Sequence, residues 1–211
     1  MKLPASAIRS GRLLVGSAAL SLVVLGSSAG SARPAATATS GGMTAACQPG
    51  MGGHPGSCVD PVGDLKGMNG PDIIRVDQYE WGAIAFQVTF AKAPALARSA
   101  TFTDEVSVTL TASGTTATKQ YRLTVSATDL KHQVLQRLPN GKRFVLPAVG
   151  RGVSSRTVTL GVNLHPLVGN PYLVRYRVEA TRSMLDGTPG SSDDVPNTGT
   201  TVWRGSSPLG P

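Results

Sequence analysis

Apolar and polar residues alternate along much of the sequence, and this alternation is the feature that most constrains the fold. In Ile84–Phe90, for example, large apolar residues stand at every second position. Side chains alternate between the two faces of a β-strand, so such a segment has one apolar and one polar face. The pattern recurs in Val106–Leu110, Tyr121–Val125, Val158–Leu164 and Tyr172–Glu179. Several half-buried strands in succession need a second sheet, which predicts an all-β, antiparallel two-sheet sandwich of the jelly-roll or immunoglobulin-like type.

One segment, residues 129–138, is compatible with two structures. Its leucines and valine fall at helical spacing, and Pro139 would end a helix there. Alternatively, Pro139-Asn140-Gly141 forms a turn that is followed by a return strand, Lys142–Leu146. The hairpin is favoured because it matches the strands on either side.

The N-terminus has the three parts of a secretory signal. Three basic residues precede an uncharged apolar run, Leu13–Leu25, and small residues that a signal peptidase accepts follow at Gly30-Ser31-Ala32 and at Ala36-Thr37-Ala38. This pattern predicts a signal peptide over residues 1–32 and a secreted, extracellular protein; an uncleaved N-terminal anchor is the alternative. We expect no stable membrane span after processing, because no second apolar run of about 20 residues follows.

The charge of the mature chain argues against a nucleic-acid-binding function. Three of the 20 basic residues lie in the leader, which leaves 17 basic against 12 acidic residues and a net charge of +5. However, residues 119–182 contain eleven basic residues and only two acids, Asp129 and Glu179. This excess favours a surface for anionic polymers, unless these bases simply occupy the outward positions of strands.

Two cysteines, Cys47 and Cys58, are separated by a segment rich in Gly and Pro. A closely spaced pair in an exported chain predicts a disulfide, and a metal site with His54 is the alternative. Every aromatic residue lies between Tyr79 and Trp203. We therefore expect a flexible tether with a disulfide loop over residues 33–59, a sandwich domain over 60–205 and a tail over 206–211.

Two groups of residues are candidates for a binding site. Asp60, Asp64 and Asp72 lie close together in loop sequence and suit a hard cation such as calcium, which prefers oxygen ligands. Asp193 and Asp194 would complete this site if the two ends of the chain meet; otherwise the acids only form turns. The aromatic residues at predicted strand ends, which would stack on a sugar or peptide unless they pack in the core, are Tyr79, Trp81 and Trp203.

The sequence does not favour an enzyme. It contains no Gly-x-Ser-x-Gly nucleophile elbow, no His-Glu-x-x-His zinc motif and no phosphate-binding Gly-rich loop. A hydrolase would have to assemble its site in space around His132 or His165.

Four short motifs occur in a characteristic order: Asp60-Pro61-Val62-Gly63-Asp64, then Gly70–Val76, the alternating Ile84–Phe90, and finally Asp193–Gly199. This order resembles a group of secreted β-sandwich domains of high-GC Gram-positive bacteria, whose shape is similar to that of carbohydrate-binding modules. The resemblance implies a non-enzymatic module that binds envelope polysaccharide or another surface polymer. The alternatives are a secreted hydrolase and a structural domain that binds a protein partner.

Overall fold

The computed structural model describes residues 45–51, 54–66, 69–80, 83–139, 141–149 and 155–205. The predicted signal peptide, the first part of the tether and the tail beyond residue 205 lie outside the described residues. None of the helices in the described ranges has the length and apolar character needed to cross a membrane.

The described residues form two sheets, which confirms the predicted all-β sandwich. The first sheet has five antiparallel strands, in the spatial order β1 (Ala46–Gln48), β3 (Gly56–Val59), β4 (Ile73–Glu80), β5 (Ile84–Phe90) and β10 (Thr157–Val162).

The second sheet has eight strands, and the four at one end of it, β6 to β9, form a meander next to β11. Its spatial order is β2 (Gly50–Met51), β13 (Thr201–Arg204), β11 (Pro171–Met184), β6 (Phe102–Gly114), β7 (Thr118–Ser126), β8 (Asp129–Leu138) and β9 (Arg143–Pro147). Strand β12 (Ser191–Val195) also pairs with β11, and a single helical turn, α1 (His165–Val168), lies between β10 and β11. All these pairs are antiparallel except β13 with β2.

The core lies between the two sheets and contains the apolar positions of the alternating segments. Phe86 of β5 and Tyr176 of β11 meet across the sandwich with their ring centroids 4.7 Å apart. Both side chains are buried, and so are Val106, Val108 and Leu110 along β6. Burying one large apolar side chain contributes about 1.5–3 kcal/mol to folding, which is why the period of two determines which face turns inward.

The ambiguous segment 129–138 is strand β8, and it pairs with β9 through the registers Leu135–Phe144 and Gln136–Arg143. The predicted hairpin is therefore correct. The buried side chain of Gln133 on β8 hydrogen-bonds the backbone N–H and carbonyl of Gly161 on β10, which ties the two sheets together.

Three strands lie within the segment that the sequence predicts to be a tether with a disulfide loop, residues 33–59. Strands β1 and β3 belong to the first sheet and β2 to the second. The disulfide between Cys47 and Cys58 is confirmed, and it joins directly opposed residues of β1 and β3. Because both cysteines are in the disulfide, neither supplies a thiolate to the alternative metal site with His54.

Candidate metal centre

Four aspartates lie where the loop after β3 meets strand β12. Asp60 continues the inward-facing positions of β3, after the buried Gly56 and Cys58. Asp64 follows a turn in which Gly63 has a positive φ of 86°, a conformation that favours glycine. Asp72 directly precedes β4, and Asp193 comes from the middle of β12.

Backbone contacts hold β12 against this loop. The backbones of Lys66 and Ser192 exchange two hydrogen bonds of 2.9 Å. The loop also approaches β12 at Gly70, where a Cβ atom would overlap the side chain of Ser191. These contacts bring Asp193 to the loop, so the two ends of the domain do meet.

Three of the carboxylates have a geometry that suits one metal ion. One oxygen each from Asp60, Asp64 and Asp193 lies within 4.8 Å of the other two. Two oxygens bound to the same calcium at 2.3–2.6 Å can be at most about 5.2 Å apart, so this spacing is compatible with a shared ion. Asp60 is 3% exposed and Asp193 is 2% exposed, which places these acids inside the protein.

The hydrogen bonds at the centre satisfy only some of the carboxylate oxygens. Asp193 accepts a bond from the backbone N–H of Ile73, and Asp64 accepts one of 2.6 Å from the side-chain amide of Asn197. Asp72 accepts one of 3.0 Å from the N–H of Gly63. Within the described part of the chain, both oxygens of Asp60 and one oxygen each of Asp64 and Asp72 are buried without a hydrogen-bond partner.

Burial and the charges of neighbouring acids raise the pKa of three of these aspartates, Asp60, Asp72 and Asp193. Burial, followed by the charges of Asp193, Asp64, Asp72 and Asp194, raises the pKa of Asp60 to about 8. Burial also raises the pKa of Asp193 to about 7, against the opposing effect of its bond from Ile73. The pKa of Asp72 is raised by burial as well. At neutral pH such a group must either hold protons or bind a cation.

Asp194 does not join this centre, although the sequence suggested it as a possible member. Its neighbour Asp193 faces inward, and alternation along β12 turns Asp194 to the other face. There its Oδ2 lies 3.0 Å from Lys66 Nζ and 2.6 Å from the guanidinium of Arg177. Asp194 is thus neutralised by two bases.

Of the three predicted aromatic residues, the structure describes Tyr79 and Trp203, which lie on different sheets. Trp203 is 1% exposed and packs in the core, so it has no free ring face. Tyr79 is partly buried on β4, in the other sheet, and its hydroxyl donates a 3.1 Å hydrogen bond to Gln87. Trp81 lies outside the described residues.

The histidines considered for a hydrolase lie apart from the acidic centre. His132 Nδ1 is 2.8 Å from Asp129 Oδ2 on an exposed part of β8, and His165 is exposed at the start of α1. In the described ranges, neither imidazole has a hydrogen bond to a serine or threonine hydroxyl. The absence of enzyme activity stays a prediction.

Comparisons of the chain with models of protein families, with curated proteins and with solved structures give no match. The function therefore has to be inferred from the chemistry of the molecule itself.

Proposed function

We propose that the mature chain is an exported, non-enzymatic β-sandwich module whose fold is completed by a calcium ion. Asp60, Asp64 and Asp193 are its protein ligands, with Asp72 beside them. The observation that carries this proposal is the state of Asp60, which is 3% exposed and has no hydrogen-bond partner for either oxygen among the described residues. An ionised carboxylate in such a place needs a compensating charge.

The donor set supports calcium. Carboxylate oxygens are hard ligands, and calcium accepts six to eight oxygens in flexible geometry, so water can supply the remaining ligands. Thiolate ligands are not available, because both cysteines of the chain form the disulfide. The predicted leader and this disulfide favour an oxidising compartment outside the cytoplasm.

The ion would fasten distant parts of the chain together. Asp60 and Asp64 belong to the loop after β3, whereas Asp193 belongs to β12. Calcium that binds all three holds this late strand to the beginning of the domain. Because the site forms only in the folded chain, binding stabilises the fold.

Thermal unfolding of the mature chain in calcium and in a chelator tests the proposal. Calcium is expected to raise the melting temperature, and EGTA to lower it to that of the metal-free protein. Asp60→Asn should abolish this response, because it removes a charged ligand while keeping the shape of the side chain.

Asp186→Asn is the matched control. Asp186 is exposed in the turn after β11, where its carboxylate accepts a hydrogen bond from the backbone N–H of Thr188. It should leave the calcium response intact. Magnesium in place of calcium tests the choice of ion, and a smaller stabilisation is expected because magnesium requires stricter octahedral geometry. A melting temperature that is the same in calcium and in EGTA would contradict the proposal.

We further propose that this module binds an envelope polysaccharide or another surface polymer. This second function is favoured by a cleft on the eight-stranded sheet that is lined by Lys119, Arg137 and Lys142.

A further inference from the structure

A cleft lies at the end of the sandwich where the two sheets differ in width. The five-stranded sheet ends at β10, which packs against β7, whereas the eight-stranded sheet continues to β8 and β9. Part of the inward-facing surface of these last strands therefore has no strand of the other sheet above it in the described structure. The cleft there has a volume of about 560 Å³.

The inward positions of β7 and β8 change from apolar to basic at this cleft. On β7 the buried Leu123 and Tyr121 are followed on the same face by Lys119. On β8 the buried Leu135 is followed on the same face by Arg137. In a sandwich these positions normally hold core residues, so bases there mark a surface that remains in water.

Three basic side chains line the cleft: Lys119, Arg137 and Lys142. None of the described residues that line it is acidic, and none of the three bases forms an ion pair with a described acid. Lys119 donates a 2.7 Å hydrogen bond to the carbonyl of Leu167 at α1, which holds its charge at the wall of the cleft. The cleft is therefore a site of concentrated positive charge.

An aromatic ring lies beside these bases. Phe144 of β9 also lines the cleft and is 44% exposed, so its ring is accessible. A pyranose ring can pack on such a ring, while the guanidinium of Arg137 can bind a carboxylate or phosphate with two parallel hydrogen bonds. A groove that contains bases and an aromatic ring is complementary to a polymer that carries anionic groups on sugar rings.

We infer that this cleft binds an anionic polysaccharide, a sugar chain that carries carboxylate or phosphate groups. Arg137 and Lys142 bind the anionic groups, and Phe144 packs against a sugar ring. This inference rests on the proposed polymer-binding function, and it adds the site and the chemical class of the ligand.

Calorimetric titration of the mature chain with defined polymers tests the inference. It is done in calcium-free buffer and below the melting temperature of the metal-free chain, because calcium would cross-link polygalacturonate and be bound by polyphosphate. The probes are polygalacturonate, which has sugar rings and carboxylates, neutral dextran, and inorganic polyphosphate, which has charge without sugar. We expect polygalacturonate to bind and dextran to show no binding. Polyphosphate is expected to bind more weakly than polygalacturonate at equal charge, and equal binding would overturn the role of the sugar ring.

A charge-matched pair of variants locates the site. The double variant Arg137→Gln/Lys142→Gln should weaken polygalacturonate binding by about tenfold or more, because it removes two charge-assisted contacts. The control Lys131→Gln/Arg175→Gln removes the same charge from exposed positions elsewhere on β8 and β11 and should change affinity by about twofold at most. If both double variants lost the same affinity for polygalacturonate, binding would depend only on net charge, and the proposed site would be wrong.

Phe144→Ala tests the ring. It should weaken polygalacturonate binding several-fold and leave polyphosphate binding unchanged. Melting temperatures of all variants establish that they are folded. Absence of polygalacturonate binding at low salt would overturn the cleft proposal, whereas the calcium proposal fails only through the melting experiment, so the two failures are distinguishable.

Discussion

Two buried acidic regions of this protein, Asp104 on β6 and the candidate metal centre around Asp60, differ in the charged groups that surround them. The guanidinium of Arg182 binds Asp104 through two hydrogen bonds of 2.7 and 2.8 Å, and it also lies 3.7 Å from the ring centroid of Phe102. Asp60 is similarly buried, but the charged groups that act on it within the described residues are other aspartates. Arg182 supplies the cation for Asp104, whereas for Asp60 we propose that the cation is an ion from solution.

Removing the guanidinium of Arg182 is expected to have the largest effect on the free energy of unfolding. Arg182→Met leaves Asp104 buried without its base, and loss of one partner of a buried pair costs about 3–5 kcal/mol. Urea denaturation should show this decrease in the free energy of unfolding. Arg182→Met combined with Asp104→Asn should recover part of it, and a single variant as stable as the parent would remove the contrast between the two regions.

Removing calcium should lower the free energy of unfolding by a somewhat smaller amount. At a hundredfold excess over its Kd, calcium should stabilise the chain by about 2.7 kcal/mol. Asp193→Asn should abolish this gain, whereas Asp194→Asn should retain it because Asp194 binds Lys66 and Arg177 instead. Loss of the gain in both variants would show that the two adjacent aspartates do not have separate roles.

The pH dependence of the metal-free protein gives a third comparison. The pKa of Asp60 is about 8 in the fold and about 3.8 when unfolded, so between these values the folded chain holds a proton that the unfolded chain has released. Stability should therefore fall as pH rises through this window, by up to about 1.4 kcal/mol per pH unit for one proton. Urea denaturation in EGTA at pH 5, 6 and 7 measures this slope.

Asp60→Asn should reduce this slope without abolishing it, because Asp193, whose pKa is about 7, also titrates in this window. Saturating calcium should reduce the slope as well, because calcium favours the ionised carboxylates. If the free energy of unfolding had the same slope against pH in the parent and in the variant, Asp60 would not titrate within the fold.

The smallest effect is expected for an ion pair that solvent reaches. Arg122 of β7 contacts Glu179 of β11 at 2.9 Å, and both side chains are more than one-third exposed. Glu179→Gln should lower the free energy of unfolding by about 0.2–1 kcal/mol, since water already solvates these charges. A loss as large as that of Arg182→Met would show that burial is not what separates strong from weak pairs in this protein.

The strands were largely predictable because alternation is local. Neighbouring residues in Ile84–Phe90 already indicate which side chains turn inward, and the hairpin after Leu138 follows from its turn residues. Strands β1–β3 were missed because they are only two to four residues long and rich in small residues. Their pairing depends on β4 and β13, which lie outside the segment.

The acidic loop was also visible in the sequence, since Asp60, Asp64 and Asp72 are close along the chain. Asp193 was suggested together with Asp194, and nothing local separates two adjacent aspartates. The position of β12 separates them, because one face of that strand meets the loop and the other meets Arg177.

Composition and alternation alone were therefore sufficient for the sandwich, the disulfide and the acidic loop, because each depends on neighbouring residues. The burial of Trp203, the separation of Asp193 from Asp194 and the basic cleft all depend on which strand lies opposite which. Asp193 accepts its hydrogen bond from a residue 120 positions away, and Lys119 donates one to a residue 48 positions away. Contacts over such separations form only when the two sheets pack, and packing also removes the water that would otherwise solvate Asp60.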